Sequence, residues 1–179
     1  MSARESRMPV EFVYQNLGMP DLIRRGMEPG TADAAILLVD LEADLVIRDG
    51  AQVVFAEGLF PVAELARALA HWLRQTDCEH DGFATGGEHD DFATGGKHDD
   101  FATGGEHDDF AFDSMSYAEV GIVRITESEE GWRIGSVAEP HVSSPVTREV
   151  LTAEIRRFVT TVREDITALG VRPDLIPPV

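Results

Sequence analysis

Hydrophobic and polar residues alternate most regularly between positions 39 and 48. One face of this segment carries Val39, Leu41, Ala43, Leu45 and Ile47, and the other carries Asp40, Glu42, Asp44 and Arg48. An alternation with a period of two residues and one polar face predicts a strand of an antiparallel sheet that is buried on one side. Asp49-Gly50 then predicts a tight hairpin turn, and residues 51–57 predict the returning strand.

Shorter strands are predicted on both sides of this hairpin. Residues 10–14 alternate and predict the first strand, and residues 20–25 predict a short helical turn. Further along, residues 111–118 predict a strand, and residues 121–126 and 132–137 predict a hairpin around Glu129-Glu130-Gly131. Strands that follow one another in sequence and are joined by hairpins form antiparallel sheets.

Two long segments have the periodicity of amphipathic helices. Pro61 opens the first, predicted over residues 61–75, because proline fits the first position of a helix. The second is predicted over residues 147–169, and Gly170 supplies its C-terminal stop. The sequence thus predicts a single α+β domain over residues 1–179. It would contain a single antiparallel sheet of about five to six strands, with the two helices packed on one face.

Residues 79–113 hold a tandem nonapeptide that interrupts this pattern. Its copies read EHDGFATGG, EHDDFATGG, KHDDFATGG and a broken EHDDFAFDS. Each complete copy has one phenylalanine and ends in Gly-Gly, which disfavours helix and leaves little apolar surface to bury. We interpret this acidic repeat, residues 79–109, as a disordered loop inserted between two ordered elements.

The charge of the chain excludes some classes of binding partner. There are 33 acidic and 15 basic residues, a net charge of −18, and the acidic repeat alone carries ten acids and one base. Such a surface repels nucleic acids and anionic lipid. No apolar run is long enough to span a membrane, no signal peptide precedes the first strand, and Cys78 is the only cysteine. These features favour a cytoplasmic protein.

Candidate chemistry is sparse, and no catalytic residue is predicted. The chain lacks the motifs of serine hydrolases, zinc proteases and nucleotide-binding folds. The carboxylates of Asp40, Glu42 and Asp44, on one face of the predicted strand, could contact a basic partner, although an ordinary solvated face is the simpler interpretation.

The histidines of the acidic repeat suggest an alternative, metal-binding chemistry. The candidate ligands are His80, Asp81, His89, Asp91, His98, Asp100, His107 and Asp109. Imidazole and carboxylate groups bind zinc or nickel, but weakly when no rigid frame holds them. The repeat also resembles the calcium-binding beta-roll repeats of secreted toxins, in its glycines and in Asp91 and Asp100. It departs from them at His89 and His98, where those repeats have glycine.

Three segments of the ordered sequence carry a second resemblance. FPVAELARAL from Phe60, FDSMSY from Phe112 and WRIGSV from Trp132 resemble segments of small, uncharacterised actinobacterial proteins. These proteins look like the immunity components that accompany bacterial polymorphic toxins. The resemblance implies a non-enzymatic acidic binding protein that masks a basic partner, and it implies no catalytic residue. The metal-binding function of the acidic repeat is the alternative.

Overall fold

A computed structural model describes residues 10–81 and 109–179, although the side chains of residues 77–81 fall outside that description. The first part contains β1 (Val10–Gly18), α1 (Pro20–Arg24), α2 (Ala34–Asp40), β2 (Glu42–Asp49), β3 (Gln52–Phe60) and α3 (Val62–Asp81). The second part contains β4 (Phe110–Ala111), β5 (Arg124–Ser128), β6 (Gly131–Gly135) and α4 (Arg148–Ala168). Short 3-10 turns occupy Pro29–Thr31 and Pro173–Leu175.

The strands form two antiparallel sheets of three strands each, in the orders β1-β2-β3 and β4-β5-β6. The prediction of an α+β fold is therefore confirmed, whereas the prediction of a single sheet of five to six strands is wrong. Four helices are present in the described residues. The two long helices and the short helical turn over residues 20–25 were predicted, the turn corresponding to α1, whereas α2 was not.

A buried carboxylate on α3 explains why the second sheet is separate. The predicted strand over residues 111–118 ends at Ala111. Beyond it, the hydroxyl of Ser114 and the backbone N–H of Met115 donate to the carboxylate of Glu64, at 2.7 and 2.8 Å. These two hydrogen bonds hold the chain after β4 on α3. Only 8% of Glu64 is exposed.

Helices α3 and α4 pack against each other and against the same face of the first sheet, α3 on β2 and α4 on β1. Phe158 of α4 lies 5.3 Å from Phe12 of β1, measured between ring centroids. Leu45 and Ile47 of β2 are fully buried on this face, as their alternation predicted. Thr147 caps α4 through its hydroxyl, which accepts from the N–H of Val150.

Residues 39–41 were predicted to begin the long second strand, but they end helix α2, and β2 begins at Glu42. The carboxylate of Asp40 accepts hydrogen bonds from the backbone N–H groups of Asp21 and Leu22, at 2.9 and 2.6 Å. Because it satisfies two free N–H groups in the first turn of α1, Asp40 is held at the helix and is only 6% exposed. The alternating pattern was correct from Glu42 onward.

No helix in the described ranges, 10–81 and 109–179, is both long enough and apolar enough to cross a membrane.

Candidate functional site

The candidate site lies at the beginning of β2, where the three carboxylates of Glu42, Asp44 and Glu57 lie on neighbouring strands. We call these three residues the acidic corner. Glu42 and Asp44 are half-buried on β2, and Glu57 is exposed on β3, where it pairs in register with Leu45. Two of the three residues predicted to contact a partner, Glu42 and Asp44, therefore remain available at this corner. The third, Asp40, is engaged with α1.

Irregular pairing on both neighbouring strands surrounds Asp44. In β1 the register shifts between Gln15 and Gly18, and Asn16 between them has a positive φ of 60°. The side-chain amide of Asn16 donates to the carboxylate of Asp44 at 2.6 Å. Bulges of this kind change the direction of neighbouring side chains and are frequent beside functional sites.

A second irregularity faces Asp44 from β3, where the register shifts between the pairs formed by Ala43 and Leu45. Leu59 lies in this shift with a φ of 54°, a conformation that costs a non-glycine residue free energy, and it is 68% exposed. At the preceding Gly58, an added Cβ would lie 3.3 Å from a carboxylate oxygen of Asp44. The absence of a side chain at Gly58 thus leaves room for Asp44 beside an exposed leucine.

Tyr117 completes the corner from the loop that follows β4. Its ring packs against Phe60 with a centroid separation of 5.7 Å. Burial, together with the negative charges of Glu57 and Glu42, raises the pKa of Tyr117 to about 12. The phenol therefore stays protonated at neutral pH and can donate a hydrogen bond.

The corner is electrostatically crowded. Burial raises the pKa of Glu42 above its usual value, and the nearby charges of Asp40 and Asp21 raise it further. Within the part of the chain that the structure describes, neither Glu42 nor Glu57 has an ion-pair partner. Asp21 does have one, because Arg24 lies 2.8 Å from its carboxylate. A positive group from outside would therefore find two unpaired carboxylates here.

The exposed face of α3 has the opposite charge. Arg67, His71 and Arg74 follow one another at intervals of four and three residues, which places them on one side of the helix. Burial lowers the pKa of His71, and the positive charges of Arg67 and Arg74 lower it further. The sequence prediction did not include this basic face, although the helical spacing of the three residues is visible in the sequence.

The metal ligands proposed from the sequence are mostly untested. His89, Asp91, His98, Asp100 and His107 lie outside the described residues, as do the side chains of His80 and Asp81. Asp109 is described, and its carboxylate accepts from the backbone N–H of Glu127 at 2.9 Å. Among the side chains that the structure does describe, no three His, Cys, Asp or Glu groups are close enough to hold a metal ion.

These features define an α+β protein with two small antiparallel sheets and an acidic surface site. Residues 99–168 match the model of a family described as a domain of unknown function (DUF7878). The match covers 70 of 179 residues, from the last part of the acidic repeat to the end of α4, so the similarity concerns the second sheet and its helix. No curated protein and no solved structure matched the chain.

Proposed function

We propose that this chain is a non-enzymatic binding protein that uses the acidic corner to contact a basic protein. The observation that carries the proposal is the pair of unpaired carboxylates, Glu42 and Glu57, near Asp44 and an exposed Leu59. A basic partner would neutralise the crowded carboxylates, and the leucine would supply apolar contact area. Opposite charges also accelerate association.

The specific form that we propose is an immunity-type protein whose partner is a basic toxin. Residues Phe60, Phe112 and Tyr117, which belong to the segments that carry the resemblance, pack around this corner with ring centroids 5.7 to 5.8 Å apart. The support is thus the location of those segments next to the acidic corner. A toxin encoded beside this chain is the partner to test first.

The test measures the rate of association with the purified product of the neighbouring gene, over a range of salt concentrations. Replacing Glu42 and Glu57 by Gln and Asp44 by Asn should slow association about tenfold at low salt and flatten its salt dependence. The matched control replaces Glu119, Glu129 and Glu139 by Gln, since all three are exposed and the change in net charge is the same. If the two triple variants slow association equally, net charge and not the acidic corner determines the rate, and the proposal is wrong. An absence of binding by the unsubstituted chain would overturn the immunity-type role.

The alternative that we propose is a divalent-metal-binding function of the acidic repeat, supported by its four His-Asp pairs. We expect weak Zn²⁺ binding to the full chain by calorimetry and its loss when His80, His89, His98 and His107 are all replaced by Ala. Millimolar Ca²⁺ should produce no new β signal in circular dichroism. A clear β signal with Ca²⁺ would favour an organised calcium roll instead.

A further inference from the structure

The basic face of α3, formed by Arg67, His71 and Arg74, is unusual in a chain with 33 acids and 15 bases. The only acid among residues 62–76 is Glu64. It is buried, and its carboxylate accepts hydrogen bonds from Ser114 and Met115. On the outside of residues 62–76, the charged groups are therefore all basic.

Arginines elsewhere in the described ranges mostly lie beside a carboxylate. Such pairs are Arg24 with Asp21, Arg48 with Glu11, Arg133 with Glu130, Arg157 with Glu154 and Arg172 with Asp174. By contrast, no described side chain forms an ion pair or hydrogen bond with the side chain of Arg67, His71 or Arg74. His71 is uncharged at neutral pH because its pKa is lowered, so the charge of this face comes from Arg67 and Arg74. With acids twice as frequent as bases, two neighbouring arginines without a carboxylate among the described side chains indicate that their partner lies outside the described residues.

The acidic repeat begins and ends beside this helix. Helix α3 runs directly into the repeat at Asp81, and the repeat ends at Asp109, next to Phe110. The ring of Phe110 packs on Trp72 of α3 with a centroid separation of 5.8 Å. Arg67 lies about 21 Å along the helix from Asp81, at about 1.5 Å per residue. The 27 residues from 82 to 108 can span roughly 90 Å when extended, so they can reach the whole basic face and return.

We propose that the basic face of α3 is a docking surface for an acidic polypeptide and that the acidic repeat of the same chain is its occupant. Residues 82–108 of the repeat carry seven acids and one base, a net charge of −6, which complements the two arginines of this face. Attachment at both ends also gives the repeat a high effective concentration at the helix, so weak individual ion pairs are sufficient. Each ion pair is exposed, and the contact therefore weakens as salt increases.

The experiment uses a synthetic peptide with the sequence of residues 88–108 and follows its binding by the amide chemical shifts of residues 67–75 at low ionic strength. The first protein is the unsubstituted chain. The second is the full chain with Asp90, Asp91, Asp99 and Asp100 replaced by Asn, which weakens its own repeat as a competitor. We expect the peptide to bind the second protein at least about tenfold more tightly, because the tethered repeat competes in the first.

A matched control separates this competition from general charge repulsion. Replacing Glu28, Glu119, Glu129 and Glu139 by Gln removes the same four charges from exposed positions outside the repeat, and it should leave peptide binding as weak as in the unsubstituted chain. Adding Arg67→Gln and Arg74→Gln to the repeat-neutralised chain should abolish binding. Adding Arg24→Gln and Arg172→Gln to the repeat-neutralised chain instead should leave peptide binding unchanged. In each case the amide spectrum shows whether the variant is folded.

Two outcomes would overturn the proposal. Equal peptide affinity for the unsubstituted and the repeat-neutralised chains would mean that the basic face is open, and its occupant would then be an acidic partner from outside. A lack of binding to the repeat-neutralised chain would mean that the face is ordinary solvated surface.

Discussion

The contact of Glu64 with the loop after β4 gives the most direct test of how the two parts of the chain are joined. Glu64 lies on α3, before the acidic repeat, and its partners Ser114 and Met115 lie after it. Both bonds end on one carboxylate, and the carboxylate is buried. Replacing Glu64 by Ala removes the acceptor of both bonds and leaves the N–H of Met115 without its partner.

The expected magnitude follows from these two hydrogen bonds. A hydrogen bond to a charged group contributes about 1.5–3 kcal/mol, and a buried donor left unpaired costs about 1–3 kcal/mol. Because the loop can relax, we expect Glu64→Ala to lower the free energy of unfolding by about 3 kcal/mol. For a chain of this length the melting temperature should fall by about 6–12 °C. Glu64→Gln should cost only about 1 kcal/mol, since its oxygen can still accept from Met115 and its amide can donate to Ser114.

Thermal and urea unfolding followed by circular dichroism measure these changes. The control is Glu129→Ala, an exposed carboxylate in the turn between β5 and β6, which should change stability by less than about 0.5 kcal/mol. A double-mutant cycle with Ser114→Ala should give a coupling of about 1 kcal/mol or more. If Glu64→Ala costs no more than Glu129→Ala, the carboxylate does not hold the loop on the helix, and the explanation of the separate second sheet is wrong.

Three further predictions concern the edge of the first sheet, the acidic corner and the acidic repeat. Glu154 of α4 accepts a hydrogen bond from the N–H of Phe12 at 2.7 Å, on the free edge of β1. Glu154→Ala should therefore lower the free energy of unfolding in urea by about 2 kcal/mol, and a loss below about 0.5 kcal/mol would contradict this role. Since the folded state raises the pKa of Glu42 above its usual 4.5, ionisation costs stability as the pH rises above that value. Glu42→Gln should therefore raise the melting temperature at pH 7, and the gain should vanish below about pH 4, whereas a lower melting temperature at pH 7 would reverse the argument. Deleting residues 82–108 should lower the melting temperature by less than about 5 °C, because the contacts around Phe110 and Glu64 hold the flanking elements together without the repeat. A larger decrease would show that the repeat stabilises the fold.

The helices and most strands could be predicted because their signals are local. Helix α4 was predicted over 147–169 and observed over Arg148–Ala168, since its apolar stripe and its caps lie within one continuous segment. The hairpin at Asp49-Gly50 was predicted for the same reason, and Gly50 has the positive φ of 61° that such a turn requires. A period of two or 3.6 residues and a turn signal can be recognised without knowing what the segment will contact.

The arrangement of the sheets could not be predicted, because it depends on contacts between distant residues. Helix α2 and the true start of β2 depend on Asp40, whose partners lie 18 and 19 residues earlier. The separate second sheet depends on Glu64, whose partners lie 50 and 51 residues later. A buried carboxylate cannot be distinguished from an exposed one in a sequence when its hydrogen-bond donors lie in distant segments of the chain.

The acidic corner was predicted in part for the same physical reason. The alternation of β2 correctly placed Glu42 and Asp44 on one face, but Glu57 lies on β3, and its proximity to Glu42 around Tyr117 depends on how distant segments pack. Asp40 could have been excluded from the predicted partner-binding residues only if it were known that its carboxylate accepts the first N–H groups of α1. Among the described residues, the carboxylates of the acidic corner form no hydrogen bond or ion pair that supports a helix or loop, apart from the bond that Asn16 donates to Asp44. A carboxylate that supports no local structure and is crowded by like charges costs the folded chain stability, and contact with a basic partner would recover that cost.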